Sequence, residues 1–292
     1  MKANTASRTA QYMALFRALE TRRPKDKRLF SDPYAIHFLD RRLRIISRCA
    51  SLPLINNRIS KIIQKKIPGA YSSGLSRTKF IDDLVIQTIG RGTKQLIILG
   101  AGFDTRALRL DSLRNIPVVE IDHPDTAALK INTLKKINHC LPANVRYLQI
   151  DFNKQSLQNL LKENNVDTML PTTIVWEGVT NYLSKEAIDS TFAVLNLFAK
   201  GSFVIFTYVN SEVLNNPSSF FGAEKLLTDL TTIEERWTFG FNPSELKPYL
   251  TNYNFKLLHD AGAAEYRHQY IPERCELNKG YEFYRVAFAK KQ

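Results

Sequence analysis

The chain has 292 residues, 44% of them hydrophobic, with three cysteines and a formal net charge of +13. That length fits one large α/β domain or a core with an appended subdomain, and no window approaches the ~18 uninterrupted apolar residues of a membrane span. Cys49, Cys140 and Cys275 are widely spaced with no CxxC pair, which predicts reduced thiols in a cytoplasmic protein and neither a metal site nor a disulfide framework.

Helices are expected at the start of the chain. Tyr12, Leu15, Phe16 and Leu19 recur at helical spacing, and Arg8, Gln11, Arg17 and Glu20 break up any signal-peptide core. Next, SDPYAIHFLDRRLRII offers Asp32 as N-cap and Pro33 at the first helical position, with Phe38, Leu39, Leu43 and Ile46 as its buried stripe. In LPLINNRISKIIQKKIPG, Ile55, Ile59, Ile62 and Ile63 share one face, Arg58, Lys61, Lys65 and Lys66 cover much of the rest, and Pro68-Gly69 stops the helix. Residues 1–79 hold 18 Lys/Arg against 4 Asp/Glu, whereas residues 80–292 hold 23 against 24. The excess charge sits in the first quarter, so residues 1–75 are expected to form a basic helical cap on a core spanning 76–292. An acidic acceptor or an anionic surface suits that charge. The amphipathic segment 53–67 has two readings: contact with anionic lipid, or a solvated basic face whose isoleucines pack on the core, the second being preferred. No nucleic-acid-binding signature accompanies the charge, and oligomeric state is left open.

From Ser76 the pattern alternates. A helix, SRTKFIDDLVIQTIGRG, leads into the strand QLIIL (95–99), a Gly-Ala-Gly turn and a helix expected to reach Leu113. Strands at 116–122, 145–151, 172–178 and 201–209 alternate with further helical segments, which predicts a parallel sheet covered on both faces. FKLLHDAGA (255–263) and YEFYRVAFAKK (281–291) are strand-like, and EYRHQYIPERCELNKG between them has no helical stripe, so an antiparallel hairpin is expected. The predicted class is α/β: a Rossmann-like sheet of five parallel strands plus a C-terminal antiparallel hairpin, under an N-terminal helical cap.

In a sheet of this kind the ligand lies across the carboxyl ends of the strands. Gly100-Ala101-Gly102 follows the first strand. Asp122, 20 positions after Gly102, ends the second and suits ribose hydroxyls. Asp151-Phe152 follows the third and suits an adenine amino group and ring face, and Glu177-Gly178 follows the fourth. A capping Asp after a strand is common by itself; the ordered series describes a nucleoside held by sugar and base. A pyrophosphate loop wants a third glycine where Thr105 stands. Asp104 beside it would repel a phosphate and tolerate a cationic nucleoside such as S-adenosylmethionine, or it merely stabilises the helix start and pairs with Arg106.

Seven segments, SRTAQYMALFRALE, RLFSDPYAIHFL, RTKFIDD, LGAGFDTRALRL, VVEIDHPDTAALK, VRYLQIDF and WEGVTNYLSKEAI, run in this order over residues 7–188. By that set the chain resembles the bacterial S-adenosylmethionine-dependent methyltransferases of the leucine carboxyl methyltransferase-like family; its C-terminal third matches mainly in its layout of elements. The resemblance implies that Asp122 binds the ribose hydroxyls, Asp151 and Phe152 the adenine, and Gly100, Ala101 and Gly102 the methionine portion. Arg77 would pair with the methionine carboxylate, although Asp82 or Asp83 one turn along is an equal partner. Glu177 would lie near the cofactor amino group or the methyl-transfer site. The family often has longer apolar residues where Thr180 and Asn181 stand here.

Methyl transfer is an in-line displacement whose alignment supplies roughly 7–11 kcal/mol at best. A carboxylate acceptor needs no general base, whereas a phenol or alcohol usually does. Glu177, Tyr182 and Tyr208 are the candidate catalytic groups, and both tyrosines also read as core aromatics. His123 is expected to shape the loop after Asp122. The resulting expectation is O-methylation of a carboxylate or hydroxyl on a small molecule or peptide. Two alternatives stay open: a nicotinamide-dependent oxidoreductase, which leaves Asp151-Phe152 and the hairpin unexplained, and a cofactor-binding protein without turnover.

Overall fold

The computed structural model describes residues 8–152, 154–233, 235–272 and 280–292; Cys275 lies outside them. The chain enters through α1 (Arg8–Thr21), a 3-10 turn (Ala35–Phe38), α2 (Arg41–Cys49), α3 (Pro53–Lys66) and α4 (Ala70–Gly90). An alternating stretch follows: β1 (Gln95–Leu99), α5 (Arg106–Arg109), β2 (Val118–Asp122), α6 (Pro124–Asn138), β3 (Val145–Gln149), α7 (Leu157–Glu163), β4 (Thr172–Trp176), α8 (Lys185–Leu195) and β5 (Phe203–Val209). The last part comprises α9 (Glu212–Asn215), α10 (Ala223–Thr232), α11 (Pro243–Asn252), β6 (Phe255–Gly262), α12 (Ala263–Tyr270) and β7 (Tyr284–Lys291). No helix among the described residues is long and apolar enough to cross a membrane.

The strands form one sheet in the order β3-β2-β1-β4-β5-β7-β6. β1 to β5 run parallel, and β7 is antiparallel to both β5 and β6. β1, β4 and β5 are buried along their whole length, as strands covered on both faces must be, while edge strand β3 alternates between buried and exposed. One face packs Ile97, Leu99, Ile174 and Trp176 against Ile188 and Phe192 of α8. The other packs Ile98, Val175 and Ile205 against Ile81 and Val85 of α4. Strand order reverses between β1 and β4, which opens a crevice at their carboxyl ends.

The strands and their directions follow the expectation, and several helices do not. The segment after the glycine turn is helical for only one turn, because Leu110 takes an extended backbone; a 3-10 turn at Asp111–Leu113 follows. Asp32 starts no α-helix. It accepts from Tyr34 N at 3.1 Å and Ala35 N at 3.0 Å to set the 3-10 turn, and Asp40 caps α2 by accepting from Leu43 N. Ile46 and Ile62, expected in buried stripes, are 39% and 54% exposed. The helix expected from Ser76 begins instead at Ala70, where Gly69 turns the chain at φ +84°, so α4 runs through the expected boundary between cap and core.

The loop expected between the last two strands contains α12. Its stripe is Ala263, Tyr266, Arg267 and Tyr270, residues that do not register as apolar yet pack as such: the Tyr266 ring lies 5.9 Å from Phe80 of α4. The Tyr266 hydroxyl donates to Tyr284 O, and that of Tyr270 to Asp83. β6 and β7 still pair antiparallel, so that expectation holds for a different reason from the missing crossover helix.

The first three helices dock on the core through the glycine loop. Arg17 of α1 donates to Phe103 O at 2.6 Å, and the Phe103 ring stacks on Phe38 at 4.8 Å. Asn56 of α3 donates to Leu19 O and Ala50 O, tying α3 to α1 and to the end of α2.

Candidate active site

The nine residues singled out from sequence as site residues, Arg77, Gly100, Ala101, Gly102, Asp122, Asp151, Phe152, Glu177 and Tyr182, all line one cavity of about 1970 Å³. Tyr208 does not join them. It is buried in β5, where its hydroxyl donates to Asp260 at 2.8 Å and accepts from Arg285 Nε at 2.9 Å. Thr180 and Asn181 are also turned into the interior, so Val179, Tyr182 and Leu183 form that wall.

The two glycines after β1 serve different ends. Both hold left-handed backbone, Gly100 at φ +63° and Gly102 at φ +47°. A Cβ on Gly100 would come within 2.2 Å of Val179, so that glycine lets the β1 loop close on the segment after β4. Above Gly102 the nearest atom to such a Cβ is Gly100 O at 3.9 Å, which leaves an open backbone ledge facing the cavity.

Asp122 faces the same ledge. Its carboxylate accepts from Gly102 N and from His123 N, which orients it at the end of β2 while lone pairs remain for a diol. Burial raises its pKa above the ordinary aspartate value, and the two backbone donors offset this only in part. His123 shapes the loop as expected, its Nδ1 accepting from Asp125 N at the start of α6. Asp151 pairs with exposed Lys154 at 3.1 Å, and Phe152 packs partly against the core. A diol acceptor, an aromatic face and an open backbone ledge around one crevice fit a nucleoside.

Apart from the Asp104–Arg106 pair, sequence reasoning missed the ionic lattice behind this ledge. Glu177 accepts from Arg77 Nε at 3.0 Å and from Arg106 Nη2 at 2.8 Å. Arg106 continues to Asp82 at 2.8 Å and to Asp104, and Arg109 grips Asp82 with two further bonds. Asp32 accepts from Arg17 Nε at 2.8 Å and from the Thr105 hydroxyl at 2.6 Å. Four guanidiniums thus balance four carboxylates in a nearly dry interior, which satisfies the requirement that buried charges be paired. Burial is the largest influence on both Glu177 and Asp104 and pushes them up, but their cationic neighbours together outweigh it, Arg106 and Arg77 at Glu177 and Arg106 and Lys130 at Asp104. Glu177 lies below its ordinary range and Asp104 falls to about 2.

The lattice decides two open readings. Asp104 accepts from the Arg106 backbone N and pairs with its side chain, so it starts the short helix. Arg77 pairs with neither Asp82 nor Asp83: Asp82 is held by Arg106 and Arg109, Asp83 by Lys79 and Tyr270. Arg77 gives its Nε to Glu177 and its face to the Tyr284 ring, while Nη2 meets a weak acceptor, Met13 Sδ at 3.6 Å. The end of the guanidinium is therefore available to an anionic ligand group.

The cavity extends well past the cradle. Ile46, Ile59, Ile63, Leu226, Ile233 and Trp237 wall its far part, from α2, α3, α10 and the segment after α10. Single-ligand pockets commonly span about 300–1,000 Å³, so a nucleoside and a second molecule can be held together. Tyr182 stands in this wall, its pKa pushed up to about 12 by burial first and by neighbouring Tyr284 and Glu235. The contribution of α10 was not anticipated, although Ala223, Leu226, Leu227 and Leu230 show its helical stripe.

Sheet order, antiparallel last strands and an open crevice at the β1–β4 switch point are those of the methyltransferase class of doubly wound α/β proteins. The leucine carboxyl methyltransferase model matches residues 10–196, and the chain belongs to that family. A relative from Mycolicibacterium paratuberculosis, named as a proposed S-adenosyl-L-methionine-dependent methyltransferase, is 30% identical over 209 residues, covering 71% of this chain and 75% of the relative. One from Mycobacterium sp. (strain JLS), named likewise, is 30% identical over 236 residues, 80% of this chain and 75% of the relative. The crystal structure of a proposed methyltransferase from Thermobifida fusca shares the fold, with TM-score 0.59 and 18% identity over 82% of this chain and 88% of that one. The nicotinamide alternative loses its ground: a third glycine is absent, and the single-turn α5 has its start occupied by Asp104.

Proposed function

We propose that this protein transfers the methyl group of S-adenosyl-L-methionine to an oxygen of a small acceptor, and that this oxygen belongs to a carboxylate. The observation that carries the choice of acceptor is the protonation of the groups at the transfer end of the cavity. Glu177 is clamped by two arginines and held below its ordinary pKa, so it is a poor proton acceptor. Tyr182 is a neutral phenol at physiological pH, and Glu235 accepts from the Thr9 hydroxyl and Arg8 N. A carboxylate acceptor arrives already ionised and needs none of them as a base.

The donor supplies a methyl carbon activated by its sulfonium. Asp122 receives the ribose hydroxyls, Phe152 lies against the adenine, Asp151 accepts from its amino group, and Arg77 takes the methionine carboxylate. Gly102 lets the backbone lie alongside. The lattice holds Arg77 and the glycine loop rigid before the ligand arrives, so little ordering is required at the moment of transfer. The apolar wall formed by α2, α3 and α10 excludes water and receives the body of the acceptor.

The test has two stages. Calorimetric titration should give micromolar binding of S-adenosyl-L-methionine, none of NAD, and loss of binding in Asp122→Ala. With methyl-labelled donor and a panel of apolar acids, alcohols and phenols, transferred label should be released as methanol by mild alkali, as a methyl ester requires. Alkali-stable label would assign the acceptor as a hydroxyl, and binding of NAD in place of the methyl donor would overturn the reading.

A further inference from the structure

The charge excess of the cap has a location. From Arg41 to Lys66 the chain carries eight Lys/Arg, no Asp/Glu and no aromatic residue. α2 and α3 fill this stretch, and their outward faces mix these cations with bare aliphatic side chains. On α3, Leu54, Arg58, Lys61, Ile62 and Lys65 recur at helical spacing on one stripe, with Leu54 85% exposed and Ile62 54% exposed. On α2, Arg41, Ile45 and Arg48 share a stripe, with Ile45 54% exposed, and Leu52 between the helices is 62% exposed. Isoleucines and leucines held this far into solvent lose the benefit of burial unless something covers them.

We infer that the outer face of α2 and α3 docks on the surface of an anionic lipid bilayer. Charge complementarity and side-chain type select this occupant. Seven of the eight cations are exposed, Arg44 being held by His37 O and Leu39 O. With no acidic residue in the stretch they seek phosphate-bearing headgroups, while Leu52, Leu54, Ile45 and Ile62 can enter the acyl boundary just below. Single-stranded nucleic acid would use aromatic platforms, which the stretch lacks. Ile45, Ile46 and Ile62 also form part of the cavity rim, so the docked face presents the opening to the lipid. Another wall of the same cavity brings Asp229, which is paired with Lys225 of its own helix.

Sedimentation of the full chain with vesicles tests this without any methyl transfer. Binding to phosphatidylcholine vesicles containing 30% phosphatidylglycerol should exceed binding to pure phosphatidylcholine by about tenfold or more, and should weaken as salt rises from 0.1 to 0.5 M. Two double variants, Leu52→Glu with Leu54→Glu and Arg58→Glu with Lys61→Glu, should each lose about tenfold in vesicle affinity. All four side chains lie outside the cavity lining, so melting temperature and cofactor titration should stay at wild-type values. Wild-type vesicle binding by the leucine variant would overturn the inference, since bare charge attraction needs no aliphatic insertion. Failure to bind either vesicle would overturn it too, as would a concentration-dependent dimer that the leucine variant abolishes, which would make this face a contact between two copies.

Discussion

Asp122 and Asp104 show how the same burial ends in opposite chemistry. Both are aspartates at the cavity, and desolvation favours the neutral acid in each. Asp104 has Arg106 against it and stays ionised down to about pH 2. Asp122 has two backbone donors, with Lys130 and His123 adding less, and burial outweighs them all, so its pKa is raised. In the proposed binding mode the ribose diol donates to the ionised Asp122 carboxylate, so cofactor affinity should fall in mild acid, at a pH above the ordinary aspartate value of about 3.9, where Glu177 and Asp104 are still charged. Asp122→Asn should lower affinity by about tenfold at neutral pH, as expected for a lost charge-assisted hydrogen bond, and flatten the acid dependence. Calorimetry between pH 4.5 and 8 on both proteins checks this; a flat wild-type profile would remove Asp122 from the ribose site.

At the scale of elements, what was legible in the chain is what local pattern dictates. Apolar runs marked β1, β2 and β4, because a buried parallel strand must be largely apolar, whereas the edge strand VRYLQ carries Arg and Gln. The Gly, Asp and Glu at the strand ends line the crevice. The lattice was illegible because its partners are remote: Arg17 meets Asp32 15 residues away, and Arg77 meets Glu177 across 100 residues. α12 was illegible because tyrosines and an arginine form its packed face. The long-range links also change what the cap is. Through Arg17, Asp32 and Phe38, α1 and the 3-10 turn grip Phe103 and Thr105 of the cofactor loop, so these elements belong with the core mechanically. Arg17→Met should therefore do two things. Stranding Asp32 with one fewer partner should cost about 3–5 kcal/mol of stability, the scale for a broken buried ion pair. Releasing Phe103 O, one residue from the Gly102 that donates to Asp122, should also weaken cofactor binding. Chemical unfolding and titration of the variant read the two effects, and wild-type affinity in a destabilised protein would make the link purely structural.

For the molecule as a whole, the lowered carboxylates set the acid limit of the fold. Asp32, Asp104 and Glu177 all have folded pKa values below their unfolded ones, because neighbouring arginines outweigh burial. A depressed carboxylate contributes stability that is complete above its unfolded pKa, near 4, and is lost as pH falls through the folded value. Protonation of other carboxylates over the same range adds positive charge to a chain already at +13, so self-repulsion grows while the lattice weakens. The contribution of these three groups should thus be nearly constant from pH 7 to about 5 and drop steeply between about 4 and 2, less steeply at high salt. Glu120, raised by burial to about 7, adds stability as pH falls from about 7 towards its unfolded value. Asp104 can be isolated within that curve. Asp104→Asn removes a partner of Arg106 and should lower stability at pH 7, yet it should also make the acid slope shallower by up to about one proton, since the group whose uptake of a proton on unfolding drove that slope is gone. Urea unfolding of both proteins at pH 7, 4 and 3 separates the outcomes. Parallel curves would mean that Asp104 titrates alike in the folded and unfolded states, and the pairing with Arg106 would then contribute no net ionic stabilisation.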